Sequence, residues 1–100
     1  MTVYVDDMRR KARVGRINGV WSHLVADTHD ELVAFAVGKL GMWASWIQEA
    51  GTELEHFDVT DSVRAKAIRL GAVEITYPHG IAEVVARKLE GAAAEGPGGD

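Results

Sequence analysis

Runs of β-branched and aromatic residues alternate with apolar stripes of helical spacing along this 100-residue chain, and this alternation constrains its fold most strongly. The expected strands and helices follow in chain order: strands at 2–5, 20–25, 56–59 and 72–76, and helices at 28–40, 60–70 and 79–90. Strands that alternate with helices favour parallel pairing with right-handed crossovers. The sequence therefore predicts a single α/β domain with a mostly parallel sheet of about four strands and about three helices.

The first helix has the clearest local signals. Residues 28–31, Thr-His-Asp-Glu, have the form of a capping box, in which the threonine oxygen accepts the N–H of the third helical residue. An apolar stripe follows at helical spacing, and Gly41 is a plausible stop. The stripe predicts an inward face made of Leu32, Phe35, Ala36 and Leu40.

Two segments lack such signals. Residues 8–19 are basic and contain Gly15 and the turn-like pair Asn18-Gly19, so the sequence predicts a loop there. Residues 91–100 carry no large apolar side chain. We therefore expect one domain over residues 1–90 and a disordered tail over residues 91–100.

Composition excludes some functions. The chain has no cysteine, which excludes disulfides, thiolate metal sites and cysteine nucleophiles. No apolar run approaches the roughly 20 residues of a membrane span, and the first residues do not resemble a signal peptide. We therefore expect a cytoplasmic protein without membrane contact.

Charge is unevenly distributed along the chain. The net charge of −4 argues against general nucleic-acid binding. However, five basic residues fall within an eight-residue segment that contains no acid: Arg9, Arg10, Lys11, Arg13 and Arg16. Such a cluster could bind an acidic or phosphate-bearing ligand or a host protein, and the alternative is a solvated loop without a ligand.

Polar residues stand in or just after three of the predicted strands. Asp6 follows the first strand, His23 lies in the second, and Asp27 follows the second. His56 and Asp58 are two residues apart in the third strand, so their side chains share a face. If these strands are parallel, the carboxylates gather at one edge of the sheet, where α/β proteins bind ligands.

A His/Asp set can bind a divalent metal such as Zn²⁺, Mn²⁺ or Fe²⁺, or it can supply a general acid and base. The expected metal ligands are His23, His56 and Asp58, and with Asp6 they form the expected catalytic group. Each residue also has a structural interpretation. Asp27 can favour a helix dipole, Asp58 can cap the second helix, and His23 can be a hydrogen-bonded core histidine.

Several of these residues belong to a wider pattern, which resembles a family of small bacterial and phage proteins catalogued as a domain of unknown function, DUF4031. The resemblance covers roughly residues 2–76. It rests on residues 3–6, 21–24, 26–28, 31–32, 35–36, 56–58, 64, 67–68 and 71–72. The family brings no assigned activity, but the resemblance implies a polar signature composed of Asp6, His23, Asp27, His56, Asp58 and Arg64.

Two positions depart from that family pattern. Val33 stands where the family often has a histidine, and Val63 stands where a lysine often precedes the arginine. If those positions belong to a site, this chain is a weakened or repurposed member.

Two classes of function remain open on the sequence. One is a small metal- or phosphate-dependent hydrolase-like enzyme, in which Arg16 and Arg64 neutralise a phosphate and Asp27 is a further ligand-binding residue. The other is a non-enzymatic phage-type interaction module, which binds a host protein through the basic loop and the tryptophans.

Overall fold

The computed structural model describes residues 2–94. It contains one five-stranded sheet and three α-helices, so the predicted mixture of strands and helices is confirmed. The elements are β1 (Val3–Val5), β2 (Arg10–Val14), β3 (Ile17–Ala26), α1 (His29–Val33), β4 (Phe57–Thr60), α2 (Asp61–Arg69), β5 (Val73–Glu74) and α3 (His79–Ala94). A π-helical segment, Ala34–Lys39, continues α1, and a 3₁₀ turn, Ala44–Trp46, follows it.

The ten-residue strand β3 organises the sheet. Its residues 24–26 pair antiparallel with β1, and its residues 17–21 pair antiparallel with β2. Strand β4 pairs with residues 21–24, whose ends already pair with β1 and β2, so β4 lies along the opposite edge of β3. Among the strands of residues 2–94, only β1 and β5 pair in parallel. The sheet is mixed, and the prediction of a mostly parallel sheet is wrong.

The segment that was predicted as a loop explains this difference. Residues 10–14 form β2, and the chain reverses at Gly15, whose φ of 60° suits a residue without a side chain. The resulting hairpin returns β3 antiparallel to β1. Four consecutive residues of β2, from Arg10 to Arg13, are exposed. A strand with both faces in solvent has no apolar alternation, so it lacks the usual strand signal.

One face of the sheet forms the core together with the helices after β3. Leu24 and Phe57 are fully buried neighbours on β3 and β4. The predicted inward stripe of the first helix is confirmed, because all four of its residues are buried. Gly41 ends the π-helical segment with a φ of 71°.

The threonine half of the predicted capping box is present at the start of α1, which permits a prediction. Thr28 Oγ1 accepts the Glu31 N–H at 3.2 Å, and the hydroxyl donates to Glu31 Oε1 at 2.9 Å. Thr28→Ala removes both bonds and is expected to lower the free energy of unfolding by about 1 kcal/mol. Urea unfolding measures this loss, and Thr28→Ser should retain most of the stability. Equal stability of the alanine variant and the wild type would contradict the role of the cap.

Helix α3 packs against the other face of the sheet through residues such as Val84, which is 2% exposed. The helix extends to Ala94, four residues beyond the predicted domain boundary, because alanines at 92–94 are good helix formers. Residues 95–100 of the predicted disordered tail lie outside the described residues. Within residues 2–94, no helix is both long enough and apolar enough to cross a membrane.

Candidate metal centre

Three polar residues stand side by side on neighbouring strands. His23 on β3 pairs with Asp58 on β4, and the N–H of Asp6, just after β1, donates to the carbonyl of His23 at 3.0 Å. Directly opposed residues of antiparallel strands point to the same face of a sheet. His56 precedes Asp58 by two residues and shares this face as well. All four side chains therefore lie on the face opposite the core.

Asp6 is a buried carboxylate that holds His23. It is fully buried, and its Oδ1 accepts the backbone N–H groups of His23 at 2.9 Å and Met8 at 3.2 Å. Its Oδ2 lies 2.6 Å from His23 Nδ1. An ionised carboxylate can only accept a hydrogen bond, so opposite an ionised Asp6 the proton of this bond lies on His23 Nδ1. The other ring nitrogen, Nε2, then has the free lone pair when the ring is neutral.

His56 is oriented in the same way by a different acceptor. Its Nδ1 lies 2.9 Å from the carbonyl oxygen of Leu54, which can only accept a hydrogen bond. Its Nε2 therefore carries the lone pair of the neutral ring and lies 3.5 Å from Asp58 Oδ1. The His23 and His56 rings meet edge to face, with centroids 5.0 Å apart.

The side chains of His23, His56 and Asp58 have the spacing of a metal site. One donor atom from each of His23, His56 and Asp58 lies within 4.8 Å of the other two. Two ligands of a tetrahedral Zn²⁺ with bonds near 2.0–2.1 Å stand about 3.4 Å apart. The 3.5 Å between His56 and Asp58 already matches this spacing. The donor atom of His23 lies no more than 4.8 Å from the other two, so joint ligation requires it to approach them by at most about 1.4 Å.

The pKa values of His56 and Asp58 are shifted in opposite directions. Burial by itself lowers the pKa of His56, but hydrogen bonds to Asp58 and Leu54 and the charges of Asp58 and Glu49 outweigh burial and raise this pKa. The hydrogen bond from His56 lowers the pKa of Asp58, helped by the charges of both histidines and opposed by burial. The interaction between the two side chains is therefore strongest when His56 is positively charged and Asp58 is negatively charged.

These shifts give a pH-dependent contribution to stability. The His56 contribution is fully present below the unfolded pKa, about 6.5, and is lost as the pH rises through the raised folded pKa. The Asp58 contribution is present above the unfolded pKa, about 3.9, and is lost as the pH falls through the lowered folded pKa. Together they are largest between those limits.

We therefore expect Asp58→Asn to destabilise the metal-free protein by up to about 1 kcal/mol near pH 5.5, because the pair is partly exposed. The loss should be smaller at pH 8.5, because a rise in pH through the raised pKa of His56 removes the positive charge of the pair. Urea unfolding of both proteins at both pH values measures it. A loss of the same size at both pH values would show that the charged pair does not contribute.

A pocket of about 260 Å³ opens beside the two histidines, between the sheet and α3. Most of its wall is apolar, and among the described residues no lysine or arginine lines it. Two glutamates, Glu49 and Glu53, also line the pocket, and both lie in the segment between the 3₁₀ turn and β4. The lining comprises His23, Val25, Glu49, Glu53, Leu54, His56, Tyr77, Ile81, Val84 and Val85.

Three of the residues expected from sequence to bind ligand lie away from this pocket. Arg16 is in the β2–β3 turn, about 20 Å from His23 along an extended strand. Arg64 donates its Nε–H to the carbonyl of Asp6 at 2.8 Å and contacts Glu74 at 3.2 Å.

Asp27 follows the last residue of β3 and is not part of the pocket lining. It accepts the Thr2 N–H at 3.1 Å and the Tyr4 hydroxyl at 2.9 Å. Because β3 runs antiparallel to β1, its carboxyl end lies beside the start of β1 rather than beside Asp6. The expectation that Asp27 would join Asp6 at a common carboxyl edge is therefore wrong.

Other pocket residues were missed by the sequence analysis. Tyr77 stacks at a tilt on His23, with centroids 5.5 Å apart, and its N–H donates to Asp7 Oδ1 at 2.7 Å. Glu49 has a φ of 55°, a strained value for a residue with a side chain. Tyr77 and Glu49 lie in irregular segments, where periodicity gives no signal. The break at Tyr77-Pro78 was the only sequence cue.

The two departures from the family pattern lie outside the pocket lining. Val63 packs against the core, on the opposite face of the sheet from the histidines, and Val33 ends α1. Neither departure removes a member of the His23–His56–Asp58 group.

Comparison with known proteins gives a family assignment. No curated protein and no solved structure matches the chain. One family model, described as "Protein of unknown function (DUF4031)", matches residues 3–88, which includes α3 as far as Lys88 and so extends beyond the resemblance over residues 2–76. The match covers most of the chain and includes Asp6, His23, His56 and Asp58, and the chain belongs to the DUF4031 family.

Proposed function

We propose that this protein is a small metal-dependent hydrolase-like enzyme whose divalent ion is held by His23 Nε2, His56 Nε2 and Asp58. The observation that carries the proposal is the convergence of three donor atoms within 4.8 Å beside an open pocket. Three protein ligands that leave a further position open are typical of catalytic rather than structural zinc sites. A bound ion would supply Lewis acidity and a reactive water.

The second layer of contacts supports the same proposal. Histidines that bind metals usually donate their other ring N–H to a carboxylate or a backbone carbonyl. Asp6 accepts this bond from His23, and the Leu54 carbonyl accepts it from His56. The first of these arrangements is costly to assemble without a use, because Asp6 is a fully buried carboxylate.

The pocket favours an uncharged or cationic substrate. Apolar side chains line most of it, and Glu49 and Glu53 add negative charge near the proposed ion. Phosphate would need cationic partners, but Arg16 and Arg64 do not line the pocket. We therefore propose a small substrate with an apolar group and a hydrolysable bond, in a cytoplasmic protein.

Titration of metal-free protein with Zn²⁺, Mn²⁺ and Fe²⁺ in separate calorimetric experiments tests the binding of the ion. We expect one ion per chain, and loss of binding in a His23→Ala, Asp58→Ala double variant that stays folded. The loaded protein should then hydrolyse uncharged chromogenic esters faster than a phosphate monoester. Absence of binding for all three ions would refute the proposal.

Asp6→Asn tests the positioning role of the buried carboxylate. The amide can still accept at its oxygen but loses the negative charge that fixes the His23 ring, so metal affinity should fall by about 10–100-fold. Calorimetry measures the affinity, and circular dichroism checks the fold. Asp7→Asn is the matched control, because Asp7 bonds the backbone of Tyr77 rather than a ligand. An equal effect of both substitutions would contradict the assigned role.

A second candidate function is an interaction module that contacts a partner protein through exposed tryptophans. Trp43 is 68% exposed and Trp46 is 52% exposed on the 3₁₀ turn. Trp21, which was also expected in such a contact, is buried and donates to the carbonyl of Ala12 at 2.9 Å. If no ion binds, a pull-down that depends on Trp43 and Trp46 would favour this module.

A further inference from the structure

The hairpin of β2 and β3, residues 10–20, carries a concentrated positive charge that the metal centre does not use. It contains four basic residues and no acid, namely Arg10, Lys11, Arg13 and Arg16. The whole chain has 11 basic and 15 acidic residues, so the rest has seven basic against 15 acidic, a net charge of −8. The charge is therefore segregated between the hairpin and the body.

Both faces of the hairpin lie in solvent. Arg10, Lys11, Ala12 and Arg13 are consecutive and all exposed, although alternate residues of a strand point to opposite faces. Arg10 therefore extends its charge from one face, and Lys11 and Arg13 extend theirs from the other. Arg9, just outside the strand, is paired with Asp61 at 2.8 Å and is not counted with the hairpin cations.

The base of the hairpin is fixed to the body. Trp21 is buried and donates its indole N–H to Ala12, across the two strands. Arg9 bonds Asp61 at the start of α2 through both Nε and Nη2. The hairpin is thus a supported two-stranded ribbon rather than a free loop.

We infer that this ribbon binds double-stranded DNA by entering its major groove. The major groove of B-form DNA, about 12 Å wide, admits a two-stranded β-ribbon. A groove has phosphates on both sides, which matches a ribbon with cations on both faces. A flat acidic protein surface would contact only one face. The deep and narrow major groove of A-form RNA excludes such a ribbon.

Fluorescence anisotropy with a labelled 20-base-pair DNA duplex tests the inference on the intact protein. Removing one phosphate contact changes the salt slope by about 0.9, which corresponds to roughly 5–10-fold in affinity near 0.1 M salt. We expect that loss from Arg10→Thr and from Lys11→Thr separately, because they lie on opposite faces. Lys66→Thr and Arg69→Thr, on exposed parts of α2, remove the same charge and should leave affinity nearly unchanged.

Several outcomes would overturn the inference. These are an effect of only one of the two hairpin faces, equal losses from the α2 controls, or equal affinity for an RNA duplex or a poly-glutamate peptide. Salt-sensitive self-association without DNA binding would instead show that the ribbon contacts the acidic body of a second copy. None of these outcomes bears on metal binding, which is measured separately.

Discussion

Replacing His56 with alanine is expected to weaken Zn²⁺ binding by more than about 100-fold. This exceeds the loss expected when a residue that only hydrogen-bonds to a metal ligand, such as Asp6, is replaced. The side chain supplies one of three proposed donor atoms, and its ring is already oriented by the Leu54 carbonyl. The remaining residues would leave the ion with two protein ligands. Calorimetric titration of purified, metal-free protein measures the affinity.

A matched control distinguishes the effect of removing a proposed metal ligand from the effect of removing a histidine elsewhere in the protein. His29 lies on α1, has a half-exposed side chain and pairs with Glu55 at 2.7 Å, outside the metal centre. His29→Ala should therefore bind Zn²⁺ as the wild type does. If the two alanine variants behave alike, the ion is bound elsewhere and the assignment of His56 is wrong.

Phe57→Ala is expected to cost about 3–5 kcal/mol of unfolding free energy. Phe57 is fully buried on the core face of β4, between the two outward residues His56 and Asp58. Truncation leaves a cavity under the strand that presents these two residues. Chemical denaturation measures the loss, and Val73→Ala, at a side chain that is 46% exposed, is the control.

The Phe57→Ala variant also tests whether core packing under β4 supports the proposed metal centre. If Phe57→Ala still folds at low temperature, it should bind Zn²⁺ more weakly than the wild type, because Phe57 stands between two of the three proposed ligands, His56 and Asp58. A loss below about 1 kcal/mol would show that the site collapses around the truncated side chain or that Phe57 contributes little packing.

The fold was predictable where a buried face imposed a pattern. The stripe from Leu32 to Leu40 has helical spacing because one face packs on the sheet, and the capping box at Thr28 is encoded locally. Strand β2 was not predictable, because its exposed cations show no alternation. Missing β2 also removed the hairpin that makes β3 antiparallel to β1, so the prediction of a mostly parallel sheet was wrong.

The candidate site was predictable in part for the same reason. The two-residue spacing of His56 and Asp58 fixes them on one face whatever the strand direction. The register that places Asp6 and Asp58 on either side of His23 depends on long-range pairing, which the sequence does not state. Glu49 and Tyr77 come from irregular segments and reach the pocket only through tertiary packing.

The most direct test of the central claim is two-bond ¹H–¹⁵N correlation NMR of the four histidine rings, recorded with and without Zn²⁺. We predict that neutral His23 and His56 carry the proton on Nδ1 and that their Nε2 signals alone shift to metal-bound values. His29 and His79 should keep their signals. Unchanged Nε2 signals of His23 and His56 at saturating Zn²⁺, or binding through another ring, would contradict the proposed metal centre.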